Sequence, residues 1–305
     1  MSDFVQQQNS VCDFGSSDSW VILSPIEQSI KKKIEAVGTP LRDWNINIYR
    51  GVLTGCNEAF IINTEKRDEI LANCQTNDER TRTAELIRPI LRGRDIKRYR
   101  YEWAELWLIA TFPSRHYNIE EYPAIKQYLL SFDIERLEQT GKTHIVNGKK
   151  VKARKKTNNK WFETQDSISY WDDFSKPKVM YPNMTKYIPF YYDEKGFYQN
   201  DKSFMITGKH VEYLTAFLNS SLFKFCFLDN FPELQGGTRE LRKIFFDKIP
   251  VRKISDVQNL QFQYAVEDIQ KEYNKQKAQR IDAMLFDLYN LTPEERKAIG
   301  FIEIL

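Results

Sequence analysis

Between residues 176 and 207 the chain runs KPKVMYPNMTKYIPFYYDEKGFYQNDKSFMIT, which reads as several short strands with turns at Pro182-Asn183 and Glu194-Lys195-Gly196. On either side the apolar period changes to a helical one. SPIEQSIKKKIEAVG (24–38) predicts a short helix. Ser24 is its N-cap, Pro25 its first helical residue, Glu27 the partner in a capping box and Gly38 its stop. EEYPAIKQYLLSFDIERLEQT (120–140) places Ile125, Tyr128, Leu129, Phe132 and Leu137 at helical spacing and predicts a helix. HVEYLTAFLNSSLFKFCFLD (210–229) reads as an apolar helix, and helical character returns from Asp256 to Leu288.

Shorter segments complete the pattern. Residues 45–63 predict two strands around a Gly-containing connection, with Gly51 and Gly55 as turn formers. TRTAELIRPILRGRDIKRY (81–99) predicts a short helix closing at Gly93 and an exposed basic turn; LWLIATFP (106–113) is a buried strand ended by Pro113. FDKIPV (246–251) looks like a strand end. The fold class expected is α+β, a mixed-strand body flanked by helices. The expected organisation is a polar, loose N-terminal tail with a connecting helix (1–40), a mixed-strand body (41–255) and a helical C-terminal segment (256–305). Hydrophobic residues at 41% are enough to bury a core, and aromatics at 14% favour strands.

Net charge is only +3, but its distribution is uneven. Residues 142–160 hold eight basic side chains (Lys142, Lys149, Lys150, Lys152, Arg154, Lys155, Lys156, Lys160) and no acid. That stretch, polar and rich in Gly, Asn and Lys, predicts a loop or a mobile hairpin. Residues 88–100 hold six basic residues against one acid, and a third cluster comprises Arg239, Arg242, Lys243, Lys248, Arg252 and Lys253. Segregated positive segments let a nearly neutral chain present a positive face.

Several kinds of chemistry are missing. Cys12, Cys56, Cys74 and Cys226 form no CxxC pair and have no His at metal spacing, so a reducing cytoplasm is the expected setting. There is no signal-peptide pattern and no apolar run near the ~20 residues of a membrane span. The chain has no Walker loop, dinucleotide fingerprint, HExxH or nucleophile elbow. It also lacks a Pro-Pro, which an amino-methyltransferase tetrapeptide requires. Glu295-Arg296-Lys297 spells the ExK of a metal-dependent nuclease, yet no Pro-Asp precedes it. Its setting, LTPEERKAIG, predicts an ordinary helix start capped by Thr292. No catalytic residue and no metal ligand is expected in this chain.

Several motifs follow one another in order along the chain. The first is Ile48-x-x-Gly51-x-x-Thr54-Gly55-x-Asn57-x-Ala59-Phe60-x-Ile62, followed by Ile87-x-Pro89-x-Leu91-x-Gly93-x-Asp95-Ile96-x-x-Tyr99. Lys178-Val179, Leu218-Asn219-Ser220 and Gly237-Thr238-Arg239 … Lys248-Ile249-Pro250-Val251 come next. Ile281-Asp282-x-x-Leu285-Phe286-x-Leu288-Tyr289-x-Leu291-Thr292-x-Glu294-Glu295 closes the set, which spans roughly residues 20–300 and in this order resembles the TaqI-like specificity domain of type IIG and related adenine methyltransferases. The resemblance implies recognition of a short double-stranded DNA sequence for a methyltransferase, in a restriction–modification system and often beside an endonuclease. It implies S-adenosylmethionine, and magnesium for any nuclease, in a partner domain or subunit and not in this chain. It leaves open whether this is a separate specificity subunit or the C-terminal piece of a longer polypeptide.

On that reading the DNA-contacting candidates are Lys149, Lys150, Lys152, Arg154, Lys155 and Lys156, whose cations would neutralise phosphates. The competing reading is a solvated charged loop. Arg92, Arg94, Lys97 and Arg98 suit phosphate or, for Arg, guanine O6 and N7. Gly93-x-Asp95 beside them predicts a structural turn in which Asp95 satisfies backbone amides. Asn183 and Lys186 are candidates for base edges, with most aromatics of that loop assigned to the core. Arg239 follows a Gly pair that permits close backbone approach, either to phosphate or within a tight turn. The helical stripe 257–288 suits packing against the methyltransferase partner or a dimer partner. Rival functions are a non-catalytic protein-interaction module, a nuclease with a degenerate metal site, and RNA binding.

Overall fold

The computed structural model describes residues 23–302. The expected loose tail over residues 1–19, and Cys12 within it, lie outside the described residues. The chain divides into two compact units, Asn47–Val211 and Met1–Ile46 with Glu212–Leu305. Mixed helices and strands make the fold α+β, as the two apolar periods predict.

In the Asn47–Val211 unit the strands are β1 (Ile46–Arg50), β2 (Ile61–Asn63), β3 (Ile87–Leu91), β4 (Leu106–Ile109), β5 (Thr143–Val146), β6 (Lys149–Lys152), β7 (Lys178–Pro182), β8 (Tyr191–Asp193), β9 (Tyr198–Gln199) and β10 (Ser203–Gly208), with smaller ribbons between. Two four-stranded sheets result, ordered β8-β7-β10-β1 and β9-β3-β4-β2, and β5-β6 forms a separate hairpin. Val179 of β7 is flanked by Tyr192 of β8 and Ile206 of β10. Ile62 opposes Trp107, Ile87 opposes Ile109, and β9 runs parallel to β3 with Tyr198 beside Ile90. Every residue of β7 is buried, so it reads as a continuous run and not an alternating one.

That burial includes a charge. Lys178 has no exposed side-chain surface, and its ammonium donates to Asp193 on β8 and to the main-chain oxygen of Phe174. Burial lowers the Lys178 pKa, while the Asp193 carboxylate opposes that shift. Asp193 is satisfied further by the amides of Lys195 at 3.1 Å and Phe197 at 3.0 Å. A buried pair persists only with such extra bonds. Phe60, Ile90, Leu108, Ile125, Leu129, Leu137 and Phe174 form the fully buried centre of the unit.

Three segments differ from the periodicity reading. Residues 120–140 form two helices, Pro123–Leu130 and Ile134–Leu137, because Asp133 turns the chain with a φ of 59°. Leu129 and Leu137 are both buried, so the spacing marked the core face but not the break. The helix expected to close at Gly93 spans Asn77–Leu86 and gives way to β3. Within 45–63, Asn57–Phe60 is a helical turn that buries Ala59 and Phe60, and β2 begins only at Ile61.

The other unit packs helices Pro25–Val37, Val211–Leu218, Ser221–Phe227, Asp256–Lys271, Lys275–Leu288 and Pro293–Ile299 around Ile30, Leu214, Phe217, Val266, Ile269 and Leu285. The predicted capping box of Ser24 with Glu27 forms, and Thr292, expected as an N-cap, makes one as well with Glu295. Glu295 also accepts from Ser29 Oγ and Lys33 Nζ, each at 2.7 Å, so the ExK spelling is a capped, tied helix start. The helix expected over 210–229 breaks at Ser220, whose hydroxyl caps the second piece by accepting from Phe223 N at 3.0 Å. Strand Gly38–Pro40 pairs antiparallel with Pro250–Arg252.

Candidate nucleic-acid interface

The acid-free run folds as the hairpin β5-β6. Asn147 and Gly148 sit at its tip with φ of 49° and 77°, the two positive values that a two-residue type I′ turn requires. Thr143 faces Lys152 and Ile145 faces Lys150, so these four side chains share one face of the ribbon. All four are exposed. On the other face His144, Val146 and Val151 are half-buried, while Lys149 is exposed.

At the foot of the hairpin the chain forms an open recess of ≈ 500 Å³. Its lining is Gly55, Arg136, Lys150, Val151, Lys152, Ala153, Arg154 and Lys155. Gly55 has a φ of +75°, and a Cβ there would lie 2.2 Å from Gln165 Oε1. Four accessible cations around one concavity (Arg136, Lys150, Lys152 and Lys155), with Glu58 3.9 Å from Arg136 as a partial counter-charge, suit a polyanion.

Arg154 plays a different part from its neighbours. It is 2% exposed, and its guanidinium donates to the main-chain oxygens of Leu137 (2.7 Å), Thr54 (2.8 Å), Glu163 (2.7 Å) and Trp161 (2.6 Å). Burial pulls its pKa down to about 10, still protonated at neutral pH. Placed above among the DNA contacts, Arg154 instead uses its donors inside the fold and holds the hairpin's foot. Gln139 does similar work beside it, donating to the oxygens of Lys160, Glu163 and Thr164.

The other candidates do not line the recess. Arg92 is held by Asp95 through two side-chain bonds of 2.9 and 2.8 Å, and Asp95 also accepts from Arg92 N, the structural turn that the spacing predicted. Arg94 is exposed and has no ion pair among the described residues. Lys97 lies 3.6 Å from Glu102, and Arg98 is buried with its guanidinium 5.4 Å from the Tyr99 ring. Asn183 is half-buried; Lys186 is exposed, and so is Tyr187, at 67%, where a core position was expected for most of that loop's aromatics. Arg239 is tied to Asp229, Glu233 and the oxygen of Phe231. Burial removes Arg98 from the accessible set, and internal ion pairs occupy Arg92 and Arg239. Lys149 and Lys156 are exposed beside the recess residues in sequence.

Arg136 was missed by the sequence reading. It lies between Glu135 and Glu138, outside any basic run, and only the chain reversal from Ile134–Leu137 into β6 brings it to Lys152, whose oxygen it contacts at 3.3 Å. Among the described residues no group of three or more His, Cys, Asp or Glu is placed to hold a metal ion. No described helix is long and apolar enough to cross a membrane.

Comparison with known proteins gives this geometry a context. Residues 88–251, more than half of the chain, match the TaqI-like C-terminal specificity domain. Over 289 residues the chain is 21% identical to the type II methyltransferase M.PaeR7I of Pseudomonas aeruginosa, a match that takes in 93% of this chain and 45% of that protein. This chain thus spans under half the length of that relative. Two solved structures share the fold. The type IIG restriction endonuclease BpuSI superposes with a TM-score of 0.50 at 14% identity, over 89% of this chain and 34% of that one. The type IIL restriction-modification enzyme MmeI, solved in complex with DNA, gives 0.55 at 10% identity, over 86% and 35%.

Proposed function

This chain belongs to the TaqI-like C-terminal specificity domain family, and from that premise we propose that it recognises a short sequence in double-stranded DNA for an adenine-N6 methyltransferase of a restriction–modification system. It performs neither methyl transfer nor cleavage itself. S-adenosylmethionine, and magnesium where a nuclease is attached, bind to the methyltransferase and nuclease parts, whether carried on a separate subunit or on the same polypeptide. The whole system works in the cytoplasm.

The observation that carries this reading is the recess at the hairpin's foot, where Arg136, Lys150, Lys152 and Lys155 converge within the matched region. Cations there neutralise backbone phosphates, which gives affinity and register without sequence information. Arg94, Lys97, Lys149, Lys156, Asn183 and Lys186, accessible or partly so, are the remaining contact candidates. An adenine selected this way is then presented to the partner domain for extrusion from the duplex and methylation.

The test is binding of the chain to a randomised duplex library at low and near-physiological salt, with the bound sequences read. Enrichment of one short motif supports the reading and supplies the target. Binding at neither salt overturns it and favours a protein-interaction role, and Mg²⁺-dependent cleavage by the chain overturns the non-catalytic assignment.

A further inference from the structure

We propose that the β5-β6 ribbon enters the major groove with the Ile145/Lys150 pair near its tip toward the bases, and that Ile145 selects a thymine by contact with its 5-methyl group. This rests on the DNA-recognition reading above and adds the element, the groove and the specificity-determining side chain.

Ile145 is the starting observation. It is a β-branched apolar residue left 69% exposed in the middle of a strand, directly opposite Lys150 and next to the Thr143–Lys152 pair on the same face. The ribbon's half-buried residues His144, Val146 and Val151 are on the opposite face, so Ile145 is turned away from them. An isolated apolar side chain set among ammonium groups suits a surface that is anionic overall and carries a small apolar group. A DNA major groove lined with thymine methyls is such a surface.

The dimensions agree. Two strands about 4.8 Å apart, each four residues or roughly 13 Å long, fit a groove about 12 Å wide, which accepts a two-stranded ribbon. The Asn147-Gly148 turn leads, and Gly148 has open space on the side a Cβ would occupy. Behind it, Lys152, Lys155 and Arg136 at the recess lie where the flanking phosphates would pass. The cross-strand pairing also matches the chemistry of one base edge. Thymine presents its methyl beside the O4 acceptor, and Ile145 presents its methyls beside the Lys150 donor.

The experiment uses the full chain and the duplex it selects from a randomised library. Each thymine in that duplex is replaced in turn by deoxyuridine, which removes only the methyl. The wild-type chain is expected to lose about fourfold in affinity at one position, the effect of one buried methyl group. Ile145→Ser binds the thymine and uracil duplexes equally and no longer selects thymine there, while Ile145→Val keeps the selection. All three proteins keep the same salt dependence, since no cation changes. If Ile145→Ser discriminates thymine from uracil as the wild type does, or no position responds to the replacement, the inference is overturned and the recognition reading stands. If the wild-type chain selects no sequence at all, the recognition reading itself falls.

Discussion

The Nη1 nitrogen of Arg154 donates to the main-chain oxygen of Thr54 at 2.8 Å, joining the foot of the β5-β6 hairpin to the turn that Gly55 shapes. The same guanidinium reaches three more carbonyl oxygens, and none of its partners is a carboxylate. The charge is thus held mainly by four main-chain dipoles at diverging positions, with the Phe60 ring 5.0 Å away, which makes the site intolerant of any shorter side chain.

Arg154→Ala would leave four carbonyls without that donor in a buried place. A loss of roughly 3–5 kcal/mol is expected, at the upper end for single substitutions. Urea unfolding measures it, and a shift below about 1 kcal/mol would refute the anchoring role. Arg154→Lys should recover only part, because a single ammonium cannot span four diverging acceptors.

Lys152→Ala combined with Lys155→Ala should weaken binding to all duplexes alike and lower the slope of log affinity against log salt by about 2, near 0.9 for each phosphate contact. Arg239→Ala, whose partners are Asp229, Glu233 and Phe231, should leave that slope unchanged. An unchanged slope in the lysine pair variant would move the phosphate contacts away from the recess.

Lys178→Met strips the buried Asp193 of its counter-charge and is expected to cost about 3–5 kcal/mol. Removing both charges together, with Lys178→Met and Asp193→Leu, should cost less than Lys178→Met alone even though the amides of Lys195 and Phe197 then lose their acceptor. Unfolding curves of the two variants decide it; equal losses would mean that the pair's charge is not what makes Lys178 costly to replace.

Glu295 gives a pH signature. Desolvation raises its pKa, but bonds from Lys33, Ser29 and the Thr292 amide outweigh that and leave it below the ordinary carboxylate value. A carboxylate depressed on folding stabilises the protein above its unfolded-state pKa, and that contribution is lost as pH falls through the folded value. Wild-type stability should therefore decline on acidification below about pH 4.5 more steeply than that of Glu295→Gln, which starts lower at pH 7. Parallel stability–pH curves for the two proteins would contradict this.

Features set within a few residues were legible. Ser24 initiates its helix through a capping box, Thr292 caps another, and Asp95 satisfies its own turn, because each involves groups three residues apart. Helix interruptions were not. Asp133 with its positive φ breaks a segment whose apolar spacing continues undisturbed, since burial of Leu129 and Leu137 constrains which face is apolar and not the path between them.

The division is sharpest at the basic run. The sequence by itself determined that eight cations with no acid occupy residues 142–160, that the fold is α+β, and to which family its ordered motifs point. Only the tertiary structure decided that Arg154 is enclosed by four carbonyl oxygens while its neighbour Lys155 lines an open recess, and that Arg136 joins them from outside the run. Charge is a property of each residue, but access to a polyanion depends on which side of the chain its distant segments cover, and no local pattern records that.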